Sequence, residues 1–376
     1  MEAAWDVVVL GAGIVGAACA LECASRGLRT AVVEASGIGG GATAAGMGHI
    51  VVMDDSQAQL ALTRYSQRLW HELAERLPAD VEWDACGTLW VAADAEEMEE
   101  VGRKQSMYAA AGLATEVLDA AALAEAEPQL RRGMAGALLV RSDAVLYPPC
   151  AAGWMMREAQ RLGTRLVTGR VSSVGAGRVR LDDGAELHAG RIVVACGADS
   201  VRLLPELPVR KRKGHLVITD RYPGFVRHQL VELGYLKSAH AVTADSVAFN
   251  VQPRRTGQVL IGSSRQFGAE EPAIDHRIVS AMLERAQAYL PEIGACSAIR
   301  VWTGFRAATP DKLPLIGVWP ADETLVLATG HEGLGITTSL GTAQLVADCI
   351  MKAASEIPAE AYLPVRFAES QTGAHA

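Results

Sequence analysis

A β-branched apolar run, Trp5–Leu10, leads directly into Gly11-Ala12-Gly13-Ile14-Val15-Gly16, and a helix-compatible stretch over 17–26 then stops at Gly27. Residues 30–34 form the next strand-like run and end on Glu34. This order of strand, glycine turn, helix and strand is a βαβ unit, and it commits the chain to a parallel sheet with a right-handed crossover. The three glycines have separate tasks: a tight turn, close backbone approach to a pyrophosphate, and close packing of helix on strand. The NH groups of Ile14 and Val15 open the helix, where the dipole favours a diphosphate. Glu34 stands where a carboxylate accepts the ribose hydroxyls. A carboxylate there repels a 2′-phosphate, so NADP is the least fitting dinucleotide.

Glu34 and Ala35 are followed by a stretch without bulk, Gly37, then Gly39 to Met47, which can lie beside an extended cofactor and offer it backbone NH groups. The rest of the composition narrows the partners. Lys and Arg total 35 against 43 Asp and Glu, a net charge of -8, which disfavours a nucleic-acid partner because phosphate binding needs a basic field. The cysteines at 19, 23, 86, 150, 196, 296 and 349 are scattered without a CxxC, so neither a disulfide framework nor a metal site is signalled. Cys19 and Cys23 share one helix face and are expected to pack against the sheet. The apolar stretch over 7–21 carries glycines and lacks a basic leader, so no membrane span is expected and the expected location is cytoplasmic. Peripheral contact with the inner membrane is left open.

Beyond the first unit, helical patterns run over 56–76, 94–111, 119–126, 151–162, 275–290 and 335–351. Strands are expected at 88–92, 165–168, 178–181, 185–189, 191–195, 298–306 and 324–329. Between 214 and 262 the pattern changes to four strands, 214–219, 230–236, 246–252 and 258–262, with Arg255-Thr256-Gly257 as a hairpin turn. The expected fold class is therefore α/β, a Rossmann-type cofactor domain with a second α+β substrate domain on a mainly antiparallel sheet. Residues 1–82, 142–213 and 299–365 are assigned to the first, 83–141 and 214–298 to the second, and 366–376 to a polar tail.

Four segments, VVLGAGIVG at 8–16, GATAAGM at 41–47, IVVACGADS at 192–200 and GFRAATPDKLPLIG at 304–317 with TGH at 329–331, carry a resemblance. Through them the chain resembles the D-amino-acid oxidase superfamily of FAD-dependent amine oxidoreductases, and within it the glycine oxidase, sarcosine oxidase and D-hydroxyproline dehydrogenase group. The resemblance implies noncovalent FAD. It places Gly11, Gly13, Ile14, Val15, Gly16, Glu34, Ala35, Ala42, Thr43, Ala44, Gly46 and Met47 along the cofactor, and Val171, Ala195, Cys196 and Gly197 over its adenosine half. Gly330, Gly333, Leu334, Gly335, Ile336 and Thr337 are implied at the flavin, where the N-terminus of the last helix stabilises the reduced ring's negative charge.

The same resemblance places Arg306 at both cofactor and substrate, its planar fork pairing with a substrate carboxylate. His49 and Tyr235 are the further substrate-binding candidates. Lys213, His215, His240, Arg254 and Arg265 lie in segments able to face the same space. Met47 and Trp302 also read as packing residues. Where glycine oxidases carry a bulky, basic stretch after Gly-His, this chain has Glu332-Gly333-Leu334-Gly335, closer to bacterial D-hydroxyproline dehydrogenase subunits, and a pocket of different size or charge is expected. No catalytic acid or base and no metal is called for. The implied reaction is oxidation at the amine carbon of a small amino or imino acid. The electrons then pass to oxygen, to a partner subunit or to the respiratory chain. A subunit with little activity alone and a flavin hydroxy-acid or glycerol-phosphate dehydrogenase are the rival readings.

Overall fold

The computed structural model describes residues 5–234 and 245–367. The first half of the described chain runs β1 (Trp5–Leu10), α1 (Ile14–Ser25), β2 (Thr30–Glu34), α2 (Gly41–Ala45), β3 (His49–Ile50), α3 (Gln57–Ala74), β4 (Thr88–Ala92), α4 (Ala95–Ala110), β5 (Glu116–Asp119), α5 (Ala120–Ala126), β6 (Gly136–Val140), β7 (Ala144–Val145) and α6 (Pro148–Arg161). It continues through β8 (Arg165–Thr168), β9 (Val171–Gly175), β10 (Arg178–Leu181), β11 (Glu186–Val194), β12 (Arg210–Arg221), β13 (Gln229–Glu232), β14 (Ser246–Pro253), β15 (Gln258–Phe267), α7 (His276–Tyr289), β16 (Ala298–Ala308), β17 (Leu315–Trp319), β18 (Asp322–Thr329) and α8 (Gly335–Met351).

The first sheet has the order β17-β18-β11-β1-β2-β8. Its central strands are parallel, β17 returns antiparallel on β18, and off this path β10 pairs antiparallel with both β11 and β9. Strands of this kind are covered on both faces, and β1 shows it: Val7 to Leu10 are all fully buried. One face carries α1, with α6 and α8 packed on it. Cys19 and Cys23 are buried there, and burial pushes the Cys23 thiol up to about 12, so both are packing residues. The expected strands 185–189 and 191–195 are one continuous strand, β11.

The second sheet has the order β16-β12-β15-β14-β13-β4-β6-β5, antiparallel throughout except for the parallel pair β13 and β4. It takes in all of β12 and β16, so it runs across the boundaries expected at 213/214 and 298/299. Alternation along the strands decides what faces what. Leu89, Val91, Leu230, Phe249, Val251, Val259 and Ile261 point to α7, where the Phe249 ring stacks on Tyr289 at 4.3 Å. Burying one such aromatic contributes roughly 1.5–3 kcal/mol. The alternate positions, Trp90, Val231, Asn250 and Leu216, turn toward the first sheet instead.

How closely the two bodies approach a ligand is set at the end of β1. A Cβ on Gly16 would lie 2.0 Å from the Gly11 carbonyl oxygen, so only glycine lets α1 seat against the strand it follows. Gly16→Ala is expected to lower stability by about 1–3 kcal/mol and to reduce cofactor retention, measured by urea unfolding and by absorbance of the purified protein. An unchanged midpoint with full cofactor content would contradict this packing.

Candidate active site

A cavity of about 640 Å³ lies between the carboxyl ends of the first sheet's strands and the open face of the second. Its size suits a cofactor together with a small substrate. Glu34 and Ala35 line one end with Arg170, Val171 and Arg202, and Ala195, Cys196 and Gly197 close over it. Burial pushes the Glu34 carboxyl up, but NH groups donate to it from Ala12 at 2.7 Å, Ser36 at 2.8 Å and Gly37 at 3.2 Å, and these win: the group is held below the usual carboxylate range. It therefore stays ionised, with lone pairs left for hydroxyl donors.

The middle of the cavity is backbone. Gly11, Gly13, Ile14 and Val15 line it at the start of α1, facing Ala42 and Thr43. The Thr43 hydroxyl accepts from the Ile14 NH at 2.9 Å, which ties the two segments together. Four expected residues are not in the lining. Gly16 is behind the turn, packed on Gly11. Ala44 is exposed on the outer side of α2. Gly330 is buried in the turn after β18, at a φ of +76°. The Thr337 hydroxyl is used internally, donating to the His49 carbonyl at 2.8 Å and accepting from the Val51 NH at 3.3 Å. The last two shape the wall without touching the space.

At the far end Gly46, Met47 and His49 face Gly333, Leu334, Gly335 and Ile336 at the N-terminus of α8, and Arg306 reaches in from β16. A Cβ on Gly214, the neighbouring strand position, would lie 2.5 Å from an Arg306 guanidinium nitrogen, so this glycine is the space the side chain occupies. The guanidinium donates to the Ser264 carbonyl at 3.0 Å. His215 braces the same point: its ring meets the Ser264 hydroxyl at 3.1 Å through Nδ1 and accepts from the Asp275 NH at 3.0 Å through Nε2, which fixes the tautomer with the proton on Nδ1.

Charge around Arg306 is compensated. Arg212 and Glu332 form a buried ion pair in the lining, so the Glu332 position noted in the sequence is neutralised rather than repulsive. Burial holds His49 down at about 4, with the Gln252 side chain opposing it and the Arg306 guanidinium adding a smaller lowering effect. Burial likewise holds His331 at about 4, with Nε2 3.0 Å from the Thr342 hydroxyl. Both rings are neutral at pH 7.

The other candidates divide cleanly. Arg265 and His215 line the cavity. Arg254 pairs with Glu82 at 2.5 Å and Lys213 donates to the Ala273 carbonyl, and neither lines it. Trp302 packs beside Met47 and Leu216. Tyr235 and His240 lie outside the described residues. The structure adds Trp90, Gln229, Asn250 and Ser263 to the lining, all buried, from four different strands. No motif marks them, because each is a single alternate position in a strand. Among the described residues no group of His, Cys, Asp and Glu is placed to hold a metal, and no helix is long and apolar enough to cross a membrane.

An elongated cavity with a carboxylate at one end, a helix N-terminus and glycine backbone in the middle, and a second helix N-terminus at the other end fits an extended flavin dinucleotide. Comparison with known proteins agrees. The model of the family described as FAD dependent oxidoreductase matches residues 6–349. The chain belongs to that family, and its cofactor is FAD. It is 28% identical over 362 residues to the glycine oxidase of Geobacillus kaustophilus, covering 92% of this chain and 93% of that protein. It is 26% identical over 419 residues to the hydrogen cyanide synthase subunit HcnC of Pseudomonas aeruginosa, covering 98% and 97%. Among solved structures, glycine oxidase from Geobacillus kaustophilus superposes with a TM-score of 0.86 at 25% identity over 96% of this chain and 98% of that one. The L-proline dehydrogenase of P. horikoshii shares the fold, with a TM-score of 0.86 at 22% identity over 98% and 99%.

Two outcomes are expected. Glu34→Gln removes the charge from the ribose contact, so FAD affinity should fall about 10-fold or more, from ~1.5–3 kcal/mol for a charge-assisted hydrogen bond, as read by FAD titration of the apoprotein. Unchanged affinity would mean that the carboxylate serves only its own loop. For His331 the folded ring sits near 4 against 6.5 for an unperturbed histidine. A depressed base contributes stability that is fully present above the unfolded value and is lost as pH falls toward the folded one. Between pH 7.5 and 5 the wild type should thus lose on the order of 2 kcal/mol more than His331→Gln in chemical unfolding. Equal losses would show that burial does not keep this ring neutral.

Proposed function

We propose that this flavoenzyme oxidises the carbon–nitrogen bond of a small amino or imino acid, of the D-amino acid or D-hydroxyproline type, to an imine. The observation that carries the reading is Arg306, a guanidinium seated by Gly214 and Ser264 at the end of the cavity bounded by Met47 and the α8 N-terminus. A fixed planar cation in a partly desolvated pocket is a carboxylate anchor. Bound FAD supplies a two-electron acceptor that can take hydride at N5. The remaining work falls to the chain's own residues. Arg306 fixes the carboxylate plane and so aims the substrate's C–H bond, which is catalysis by orientation. His49, held neutral, faces the same space without adding a second positive charge beside Arg306, and the substrate enters with its amine neutral, the lone pair ready for imine formation. Gly333 to Ile336 and Met47 line the flavin end and exclude water, and the α8 N-terminus favours negative charge beside it.

The relatives support amines as the substrate class through their names, glycine oxidases among them. They equally support a second reading, a glycine- or sarcosine-type oxidase that hands electrons to oxygen. The HcnC relative, named as a subunit, supports a chain that works within a heteromeric complex and passes electrons to a partner or the respiratory chain. Such a chain would work in the cytoplasm or at the inner face of the membrane. Peroxide formation by the purified protein separates the two.

The test is anaerobic flavin reduction in stopped flow against amino acids of both configurations, proline isomers, glycine and sarcosine, with hydroxy acids and glycerol phosphate as the contrasting set. Amines should bleach the flavin, and reduction by alcohols alone would refute the proposal. Arg306→Ala should raise the apparent substrate constant at least ~100-fold with FAD still bound, from the ~2–5 kcal/mol lost when one partner of a buried charge pair is removed. Arg306→Lys should be intermediate, since a point charge attracts a carboxylate without fixing its plane. Saturation of Arg306→Ala at wild-type concentrations would move the anchor to Arg265.

A further inference from the structure

Four polar side chains on the face of the second sheet are buried, line the cavity and have an atom with no hydrogen-bond partner: Trp90 Nε1, Gln229 Oε1, Asn250 Oδ1 and Ser263 Oγ. Their exposures are 2%, 2%, 6% and 4%. Buried polar atoms are almost always paired, so four in one cavity wall ask for a common explanation. They come from four adjacent strands, β4, β13, β14 and β15, and the register places them together. Trp90 is opposite Val231, Val231 is opposite Asn250, and Asn250 is opposite Gly262, the residue before Ser263. Gln229 flanks this line on β13. The neighbouring apolar positions of the same strands point the other way, into the core against α7.

The row has a definite place relative to Arg306. That guanidinium donates to the Ser264 carbonyl, so it stands over β15. Adjacent strands are spaced ~4.8 Å apart, which puts Asn250 about one strand beyond the anchor and Trp90 about three, a span of about 14 Å. A molecule held at Arg306 by its carboxylate reaches this row with the other end of its skeleton. The row offers an indole NH that only donates, a hydroxyl and two amides that both donate and accept, and no charge of its own.

We infer that the substrate carries, at the end remote from its carboxylate, a neutral hydrogen-bonding group, a hydroxyl or an amide, that is read by Ser263 and Asn250, the members of the row nearest the anchor, with Gln229 and Trp90 extending the polar wall beyond them. The inference rests on the reading of the site as an amino-acid oxidising one, and it narrows the class within that reading. Glycine or sarcosine would leave the row unused. An alkyl side chain would cover polar atoms and leave them unpaired, which a site built for hydrogen bonds penalises strongly. A distal carboxylate would be drawn to the Arg265 guanidinium, which lines the same cavity, rather than to these uncharged groups.

Matched pairs test this on the FAD-loaded protein: alanine and serine, 2-aminobutyrate and threonine, proline and 4-hydroxyproline, norvaline and glutamine, each in both configurations, with glycine, sarcosine and glutamate. In the pair that reduces the flavin best, the hydroxyl or amide member should exceed its apolar partner at least ~100-fold in kcat/KM. In Asn250→Leu and Gln229→Leu that ratio should fall below ~10-fold, with the apolar member gaining. Calorimetric titration with 4-hydroxybutanoate and pentanoate, which carry no amine to oxidise, should give the same order without turnover. It decides the matter if the variants do not hold FAD. Best reduction by glycine, sarcosine or an apolar amino acid overturns the inference while the amine reading stands. Best reduction by glutamate also overturns it, and transfers the distal contact to Arg265. Reduction by alcohols alone brings down both.

Discussion

The separation between α1 and the end of β1 is the constraint on which the site depends. With no side chain at Gly16, the helix sits close enough for its first NH groups to face the cavity and for Thr43 to cap the NH of Ile14. A second approach follows from the first. The peptide at Gly11 lies under Ala195, so the loop after β11 can close over the end of the cavity that Glu34 governs. A helix displaced outward by one methyl group would loosen all three contacts together, because protein interiors transmit such shifts rather than absorb them.

The second sheet contributes differently. It has no helix terminus pointed at the cofactor, and its strands offer side chains at alternate positions. Those facing α7 make a dry apolar core, while those facing the cavity are mixed, with Arg306, Arg265, Asn250, Gln229 and Trp90 among them. Arg212 is paired with Glu332, and His49 and His331 are neutral, so neither ring adds a positive charge to the cavity wall. On the proposed function, one sheet holds the cofactor and the other selects what is brought to it.

Much of the first body was legible because its function is written in contiguous residues. The glycine turn, Glu34 and the Gly-rich stretch to Met47 each announce a backbone geometry that few other sequences need. Four expected positions lie off the lining for local reasons: Gly16 packs on Gly11, Ala44 is on the solvent side of a one-turn helix, Gly330 is in the turn after β18, and the Thr337 hydroxyl is bonded to the His49 carbonyl. The second body was legible as strands but not as a surface. Which of Gln229 and Leu230 faces the cavity depends on pairing with β4 and β14, from residues 88–92 and 246–253, and no local pattern encodes a register between distant segments. The proposal of Arg306 rests on the longer motif that surrounds it. Trp90, Asn250 and Ser263 have no such motif.

On the proposed function, one cavity holds FAD along the first sheet and presents the amine carbon of a carboxylate-bearing substrate to it from the second. A crystal structure of the FAD-loaded protein with a small carboxylate that cannot be oxidised tests this most directly. The isoalloxazine ring is expected between Gly46-Met47 and Leu334-Gly335-Ile336, with the carboxylate paired to the Arg306 guanidinium. A flavin ring outside that end of the cavity, or a carboxylate held elsewhere with Arg306 unengaged, would contradict it.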